Sequence, residues 1–286
     1  MFVLFWLLEK TVPLFPLKFI QAIARVKGKL FYYILPIRKS TARANLKLAF
    51  PDKSEDEINR IVKGCYVNVL TVIAEFFYMR SMTMQQMQRL LQVNNLGLYT
   101  GKINEGKGVI VISGHFGNWE LTAFGTNVLT GIGINVVVKE QTNKRVDEGI
   151  NMIRSSAGNK MINMRNSLRA ILTALKAGEV VAMLGDQSAP KENVKVDFFI
   201  KDVPTFEGTA RIALKTRANV LFAVSVRNSD GTYRLKFHEI DISKYKETSE
   251  EYVKALTQEH VNLLVEYIKA KPDHWLWFHK RFKHIA

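Results

Sequence analysis

Beyond residue 92 the chain alternates between short runs of Val, Ile and other apolar residues and longer segments with helical spacing. Strands of a parallel sheet that is covered on both faces read as continuous apolar runs, and strands that alternate with helices build such a sheet. We therefore predict an α/β fold with a mostly parallel central sheet flanked by helices. The predicted strands are residues 108–113, 134–140, 179–186, 195–200, 219–227 and 232–240, and the predicted helices are 119–130, 143–157, 166–177, 206–217 and 248–270.

The first 92 residues show helical spacing instead. Ser54 and Glu57 have the spacing of a capping box, which predicts the start of a helix. No linker separates this part from the rest, so we divide the chain into a helical, membrane-interfacial region (1–92) and an α/β domain (93–286) that form one structural unit. The predicted helices of the first region are 1–35, with breaks near Pro13 and Pro16, then 38–50, 55–79 and 83–91.

The N-terminal segment combines basic charge with large apolar side chains. Residues 1–50 hold nine basic residues and a single acidic one, Glu9. Glu9, Lys10 and Lys18 interrupt the apolar run, which makes a membrane-spanning helix a poor interpretation. A basic, aromatic-rich amphipathic segment is typical of helices that lie in the membrane interface. The alternative is an ordinary helix pair packed on the core.

The whole chain is basic, with 41 Lys and Arg residues against 26 Asp and Glu residues. This balance indicates an anionic partner, either a membrane lipid, an acidic protein or nucleic acid. No zinc finger, helix-turn-helix or glycine-rich RNA motif supports nucleic acid. The lone Cys65 excludes an internal disulfide and a metal site built on several cysteines, and scattered histidines argue against any metal.

The nonapeptide SGHFGNWEL (113–121) places Glu120 five residues after His115. On one unbroken helix these side chains would point about 140° apart, so we expect the backbone to turn at Gly117 and Asn118. His115 follows a predicted strand, at the edge of the sheet where ligands bind. We predict that Glu120 turns back to Nδ1 of His115 and leaves Nε2 as a general base. A structural histidine and a surface glutamate are the alternative.

The chain offers no motif for an enzyme nucleophile. It has no G-x-S-x-G elbow, and Cys65 lies among apolar residues of a predicted helix. A His–Glu pair would then activate a hydroxyl of the substrate for attack on an acyl carbonyl, which is direct acyl transfer. The same pair could activate water, so a thioesterase or lipid hydrolase remains open.

Further polar residues lie near predicted strand ends or helix starts. Lys139, Asp186 and Gln187 end strands at the ligand-binding edge, and Thr205 and Arg211 flank a helix start that could bind an anion. Turn formation or solvated charge is the alternative for each, and Trp275 and Trp277 are interpreted as packing residues. The candidate substrate-binding residues are Gly117, Asn118, Lys139, Arg154, Asp186, Gln187, Thr205 and Arg211.

Five segments together resemble the bacterial lipid A biosynthesis (lauroyl/myristoyl) acyltransferase family, within the lysophospholipid acyltransferase-like group. The second of them contains the family's H-x4-D/E catalytic motif, and the resemblance covers nearly the whole chain. Ile200, Lys201 and Arg217 stand where the family often has other residues, which leaves the acceptor open. The segments are ARANLKLAFPDKSEDEI (42–58), GKGVIVISGHFGNWEL (106–121), MLGDQS (183–188), DFFIKDVPTFEGTARIALKTRANV (197–220) and WLWFHKRFK (275–283).

This resemblance implies His115 as the general base and Glu120 as its partner. It implies a fatty acyl-thioester donor, on acyl carrier protein or coenzyme A, and no cofactor or metal. The implied acceptor is a hydroxyl of a membrane-bound anionic lipid, first a lipid A precursor and alternatively an aminolipid or phospholipid. The implied location is the cytoplasmic face of the bacterial inner membrane, where the protein would be peripheral or monotopic.

Overall fold

A computed structural model describes residues 2–285, which form eleven α-helices and nine strands. The helices are α1 (Phe2–Thr11), α2 (Leu17–Ile34), α3 (Lys39–Ala49), α4 (Glu55–Met79), α5 (Met84–Leu90), α6 (Leu96–Asn104), α7 (Trp119–Thr130), α8 (Lys144–Ser155), α9 (Ser167–Lys176), α10 (Gly208–Thr216) and α11 (Glu250–Ala270). The strands are β1 (Leu91–Val93), β2 (Val109–Ser113), β3 (Ile134–Val138), β4 (Lys160–Asn163), β5 (Val180–Leu184), β6 (Lys195–Phe198), β7 (Ile200–Pro204), β8 (Asn219–Arg227) and β9 (Tyr233–Ile240).

Seven strands build the central sheet in the order β1-β9-β8-β2-β5-β3-β4. The pairs β1–β9, β2–β8, β2–β5, β3–β5 and β3–β4 are parallel. The pair β8–β9 is antiparallel, because only a short turn joins these two strands, whereas parallel neighbours need a longer crossover. The predicted α/β class and mostly parallel sheet are confirmed.

Both faces of the sheet are covered by helices. In β2, Ile110 and Ile112 pack in one apolar cluster, with residues of α9, α10 and α11. Val109 and Val111 point to the other face and pack with residues of α5 and α7. Because alternate residues enter opposite layers, the strand is apolar throughout, as its sequence predicted.

One predicted strand, 195–200, lies outside the central sheet, although the sequence predicted it as part of that sheet. β6 pairs with β7 as a separate antiparallel hairpin. Phe199 and Asp202 have φ values of 61° and 58°, so the chain bends sharply there. Gln258 of α11 exchanges two hydrogen bonds with the backbone of Asp197, which attaches the hairpin to that helix. The short strands β1, β4 and β7 were not predicted.

The N-terminal helices pack on the α/β part through α4. Ser54 and Glu57 form the predicted capping box of α4. Gly28 of α2 crosses α4 so closely that a Cβ atom would lie 2.5 Å from the backbone of Val67, which requires glycine there. The division of the chain at residue 92 stays a prediction.

Helices α1 and α2 and the segments that follow each of them expose many large apolar side chains, here called the N-terminal apolar surface. By length and apolarity alone, α4 is the one helix within residues 2–285 that could cross a membrane, and 56% of its apolar window is buried inside the protein. Membrane association of this region therefore stays a prediction. The surface comprises Val3, Leu4, Trp6, Leu7, Leu14, Phe15, Phe19, Val26, Leu30, Tyr33, Ile34, Leu35 and Ile37.

Candidate functional site

His115 and Asp186 meet at the carboxyl edge of the central sheet. Ser113 of β2 and Leu184 of β5 are direct partners in the sheet, and each of the two residues lies two positions beyond its strand end. The Nδ1 atom of His115 lies 2.7 Å from Oδ1 of Asp186. The backbone N–H of His115 and the indole N–H of Trp275 both donate to Oδ2 of Asp186, each at 2.7 Å. The carboxylate is thus fixed by three donors.

Glu120 does not occupy the Nδ1 position that we predicted for it. Its carboxylate accepts two hydrogen bonds from Arg154 of α8, at 2.8 Å from Nε and 2.6 Å from Nη2. The indole N–H of Trp119 donates a third, at 3.2 Å. The predicted geometry was wrong because Asp186, which follows the neighbouring strand β5, contacts Nδ1 of His115. Glu120 instead forms an ion pair with Arg154 of α8.

The surroundings of His115 favour its protonated form. Burial by itself lowers the pKa of the imidazole, but the charge and hydrogen bond of Asp186 and the weaker attraction of Glu120 oppose burial. The pKa of His115 is therefore raised above its ordinary value of 6.5. For Asp186, burial raises the pKa, but His115 and the N–H donors outweigh burial and lower it. An imidazole whose Nδ1 proton is held by a carboxylate has Nε2 available as a base.

Gly117 and Asn118 shape the turn after His115, as predicted. Gly117 has a φ of 60°, and a Cβ atom there would lie 1.8 Å from the carbonyl oxygen of Ser225. The Asn118 side chain accepts the Leu121 N–H at 2.9 Å and so caps α7. Neither residue lines the cavity described below, so their placement supports the loop rather than contact with a substrate.

Behind this loop lies Glu75, which the sequence left open as either a buried polar contact or an exposed side chain, and the structure shows the first. Glu75 of α4 is fully buried and accepts hydrogen bonds from Gln21 (2.7 Å), Asn118 (2.8 Å) and the Tyr233 hydroxyl (2.5 Å). The guanidinium of Arg227 lies 3.6 Å away. This network joins α2, α4, the loop and β9. Its sequence signal was a single acid on an otherwise apolar helix face.

A cavity of about 390 Å³ opens beside His115 and passes between α7 and the sheet. Its apolar walls include small side chains, Ala123 of α7 and Ala182 and Ala223 of the sheet. The rings of Tyr99 and Phe237 stack with their centroids 4.9 Å apart, in the fully buried part of the lining. The polar lining comprises Ser113, His115, Glu120, Thr122, Thr126, Lys139, Gln141, Arg154, Asn159, Gln187, Ser188 and His279. The cavity therefore suits a molecule with an apolar chain and a polar end.

The structure brings some of the predicted binding residues to this cavity and leaves others outside it. Lys139, Arg154 and Gln187 line it, and Lys139 forms no ion pair with an acid of residues 2–285. Thr205 is fully buried and accepts a hydrogen bond from Arg281 at 2.6 Å. Arg211 pairs with two carboxylates outside the cavity, those of Glu207 and Glu250. The last two positions are therefore corrected to structural contacts.

The C-terminal segment contributes to the site in a way that its sequence did not indicate. Trp275 is buried as predicted, but it also donates to Asp186. His279 lines the cavity, and its Nδ1 accepts the Ser188 N–H at 3.3 Å. Asn45 of α3 donates to the carbonyl oxygens of Trp277 (2.8 Å) and His279 (2.6 Å). Asn45 belongs to segment 42–58, one of those that resemble the family. This segment thus holds the backbone around Trp277 and His279 in place.

Within residues 2–285, no group of three or more His, Cys, Asp or Glu side chains could hold a metal ion. That the reaction needs no metal and no cofactor stays a prediction.

Several known proteins are similar to this chain over most of its length. The profile of a family described as bacterial lipid A biosynthesis acyltransferase matches residues 1–284. The lipid A biosynthesis palmitoleoyltransferase of Escherichia coli K12 is 27% identical over 250 residues, which is 86% of this chain and 79% of that protein. The lauroyltransferase of the same strain is 28% identical over 264 residues, covering 90% and 82%. A lipid A biosynthesis acyltransferase of Haemophilus influenzae is 26% identical over 98% of this chain and 90% of its own length.

Proposed function

Because this chain belongs to the bacterial lipid A biosynthesis acyltransferase family, we propose that it moves a fatty acyl group from an acyl-thioester to a hydroxyl group of a lipid A precursor. The observation that carries the proposal is the pair of His115 and Asp186 at one end of a largely apolar cavity. Such a cavity can hold a fatty acyl chain with its thioester beside the imidazole.

The reaction needs a base and a way to stabilise the base once it is charged. His115 Nε2 takes the proton of the acceptor hydroxyl while the oxygen attacks the thioester carbonyl carbon. The C–O bond forms, the C–S bond breaks, and the imidazolium returns the proton to the departing thiolate sulfur. Asp186 stabilises the imidazolium at Nδ1, in the way that a triad aspartate does.

Glu120 acts on His115 through its charge in this proposal. Arg154 holds both carboxylate oxygens, so the group keeps one orientation beside the cavity. Its negative charge adds to that of Asp186 in favouring the imidazolium. Glu120, the acid of the H-x4-D/E motif, would thus stabilise the charged form of His115 without a hydrogen bond to it.

Cationic side chains near the mouth suit the phosphates of both substrates. A donor on acyl carrier protein or coenzyme A carries a phosphate at the end of its pantetheine arm that is remote from the thiol, and lipid A precursors are phosphorylated. Lys139 lines the cavity and forms no ion pair within residues 2–285, so its ammonium is available to an anion. The strongly basic chain would also attract an acidic carrier protein.

We further propose that the N-terminal apolar surface lies on the cytoplasmic face of the bacterial inner membrane. Exposed Lys18, Arg25 and Lys29 accompany its apolar residues on α2. Apolar burial and attraction to anionic headgroups act together in such contacts. The protein would then lie on the membrane that holds its lipid acceptor.

The test is a transfer assay with purified protein in detergent. Acyl carrier protein and coenzyme A thioesters carrying a labelled acyl chain are supplied with lipid A precursors, aminolipids and phospholipids, and free fatty acid is counted separately. We expect label in a lipid A precursor and a loss of roughly 10²–10⁴-fold for His115→Ala. His238→Ala is the matched control, because His238 bonds Tyr267 outside the cavity. Full activity of His115→Ala would refute the mechanism, and label only in free fatty acid would indicate a thioesterase.

A further inference from the structure

In the proposed reaction, Nε2 of His115 accepts the proton of the acceptor hydroxyl, and in the structure a side-chain amide lies beside this atom. The side-chain Nε2 of Gln187 lies 3.3 Å from it. Asp186 accepts the proton on Nδ1, so Nε2 of the neutral ring carries a lone pair and the Gln187 amide N–H donates to it. An incoming hydroxyl must approach the same lone pair.

The backbone beneath Gln187 is fixed, but its side chain is held weakly. Asp186 is anchored by its three donors, and the Ser188 N–H donates to His279. Within residues 2–285, the contact with His115 is the one hydrogen bond of the Gln187 side chain. The amide can therefore leave Nε2 by side-chain rotation, without any movement of the backbone.

We propose that Gln187 is a displaceable cap on His115 that favours a lipid hydroxyl over water as the acyl acceptor. This inference rests on the proposed function. The binding energy of its headgroup and chains can allow a bound lipid to displace the Gln187 amide. A water molecule has no remote groups that supply such binding energy. Gln187 thus acts on the choice of acceptor, and its role differs from simple substrate binding.

The two competing reactions have the same steps at the thioester. In transfer, the lipid oxygen bonds to the carbonyl carbon, its proton passes through His115 Nε2 to the thiolate, and the products are an ester and a thiol. In hydrolysis, water supplies the oxygen and the proton, and the products are a fatty acid and a thiol. The cap changes only which hydroxyl reaches Nε2.

The first test compares Gln187→Ala with the unaltered protein, using an acyl carrier protein thioester. Without acceptor, we expect hydrolysis to rise roughly 2- to 10-fold, the factor that one net hydrogen bond represents. With saturating lipid acceptor, we expect transfer to change much less, so the ratio of fatty acid to acylated lipid rises. Gln85→Ala is the control, because Gln85 is exposed on α5 and lies outside the cavity lining.

The second test needs no turnover. Diethyl pyrocarbonate acylates unprotonated imidazole nitrogen, and peptide mass spectrometry reports the rate at each histidine. We expect faster modification of His115 in Gln187→Ala than in the unaltered protein and in Gln85→Ala, with His238 as an internal reference.

Three results would contradict the proposal that Gln187 caps His115. Hydrolysis and transfer falling together in Gln187→Ala would mean that the amide stabilises the reaction itself. An unchanged ratio, or an unchanged rate of His115 modification, would mean that the amide does not shield Nε2. Failure of the proposed function looks different, since the unaltered protein would then acylate no lipid while the modification rates still report on the cap.

Discussion

The two carboxylates near His115 differ because their contacts differ. Asp186 accepts from the imidazole, from a backbone N–H and from Trp275, and it is buried. Glu120 is bound by Arg154 and reaches His115 only through its charge. Of the two, Asp186 should therefore control both the orientation and the basicity of the imidazole.

Asp186→Asn should lower the pKa of His115, because it removes the charge that favours the imidazolium. The neutral imidazole is the active base, so activity is lost as the pH falls through the pKa of His115. That pKa is raised in the unaltered protein, and the acidic limb of kcat/KM against pH should move to lower pH in the variant. The maximum rate should fall by roughly 10²–10⁴-fold.

Glu120→Gln is the comparison for this measurement. It should move the acidic limb in the same direction but less far, since its attraction is the weaker one. A larger shift from Glu120→Gln than from Asp186→Asn would contradict the assignment of the two carboxylates.

At the scale of elements, the order of strands decides the site. The local sequence predicted β2 and β5 and placed His115 and Asp186 at their ends. It could not predict that β5 lies beside β2, because strand order depends on contacts between distant parts of the chain. The turn at Gly117 and Asn118 was predictable because it rests on local backbone conformation. The β6–β7 hairpin was missed because its turn residue, Phe199, has a left-handed φ of 61° that its residue type does not signal.

The polar network around Glu75 holds helix α4 against the loop that contains Gly117 and Asn118, and against β9. Glu75→Ala leaves the donors of Asn118 and Tyr233 buried without their acceptor, and it leaves Arg227 without its buried counter-charge. Removing one member of a buried ion pair costs about 3–5 kcal/mol, and we expect a loss of that size in the free energy of unfolding, measured by urea denaturation.

Glu105→Ala is a suitable control, because Glu105 lies at the surface beside Lys102 and Lys107. Its unfolding should stay close to that of the unaltered protein. Equal stability of the two variants would show that the Glu75 network does not support the fold.

At the scale of the whole molecule, apolar exposure and positive charge coincide in the N-terminal part. The chain carries a formal net charge of +15, and nine of its basic residues lie within residues 1–50. Composition alone indicated a membrane surface there. The structure adds which side chains are free to contact lipid, and which, such as Gln21 and Gly28, face the protein.

Phe19→Ser combined with Leu30→Ser should weaken binding to anionic lipid vesicles by about tenfold or more, because a large apolar side chain contributes about 1.5–3 kcal/mol when fully buried. Vesicle sedimentation measures this directly. Leu168→Ser, which alters an exposed leucine of α9 away from this surface, should bind as the unaltered protein does. Equal binding of all three proteins would argue against the N-terminal apolar surface as the contact.

The stacked rings of Tyr99 and Phe237 close the inner part of the cavity. A fatty acyl chain that occupies the cavity would therefore enter and leave through the same opening. The methyl end enters first and leaves last, so the finished ester must be withdrawn along its whole length before another donor can load. Departure of the product, rather than bond making, should then slow turnover as the acyl chain lengthens.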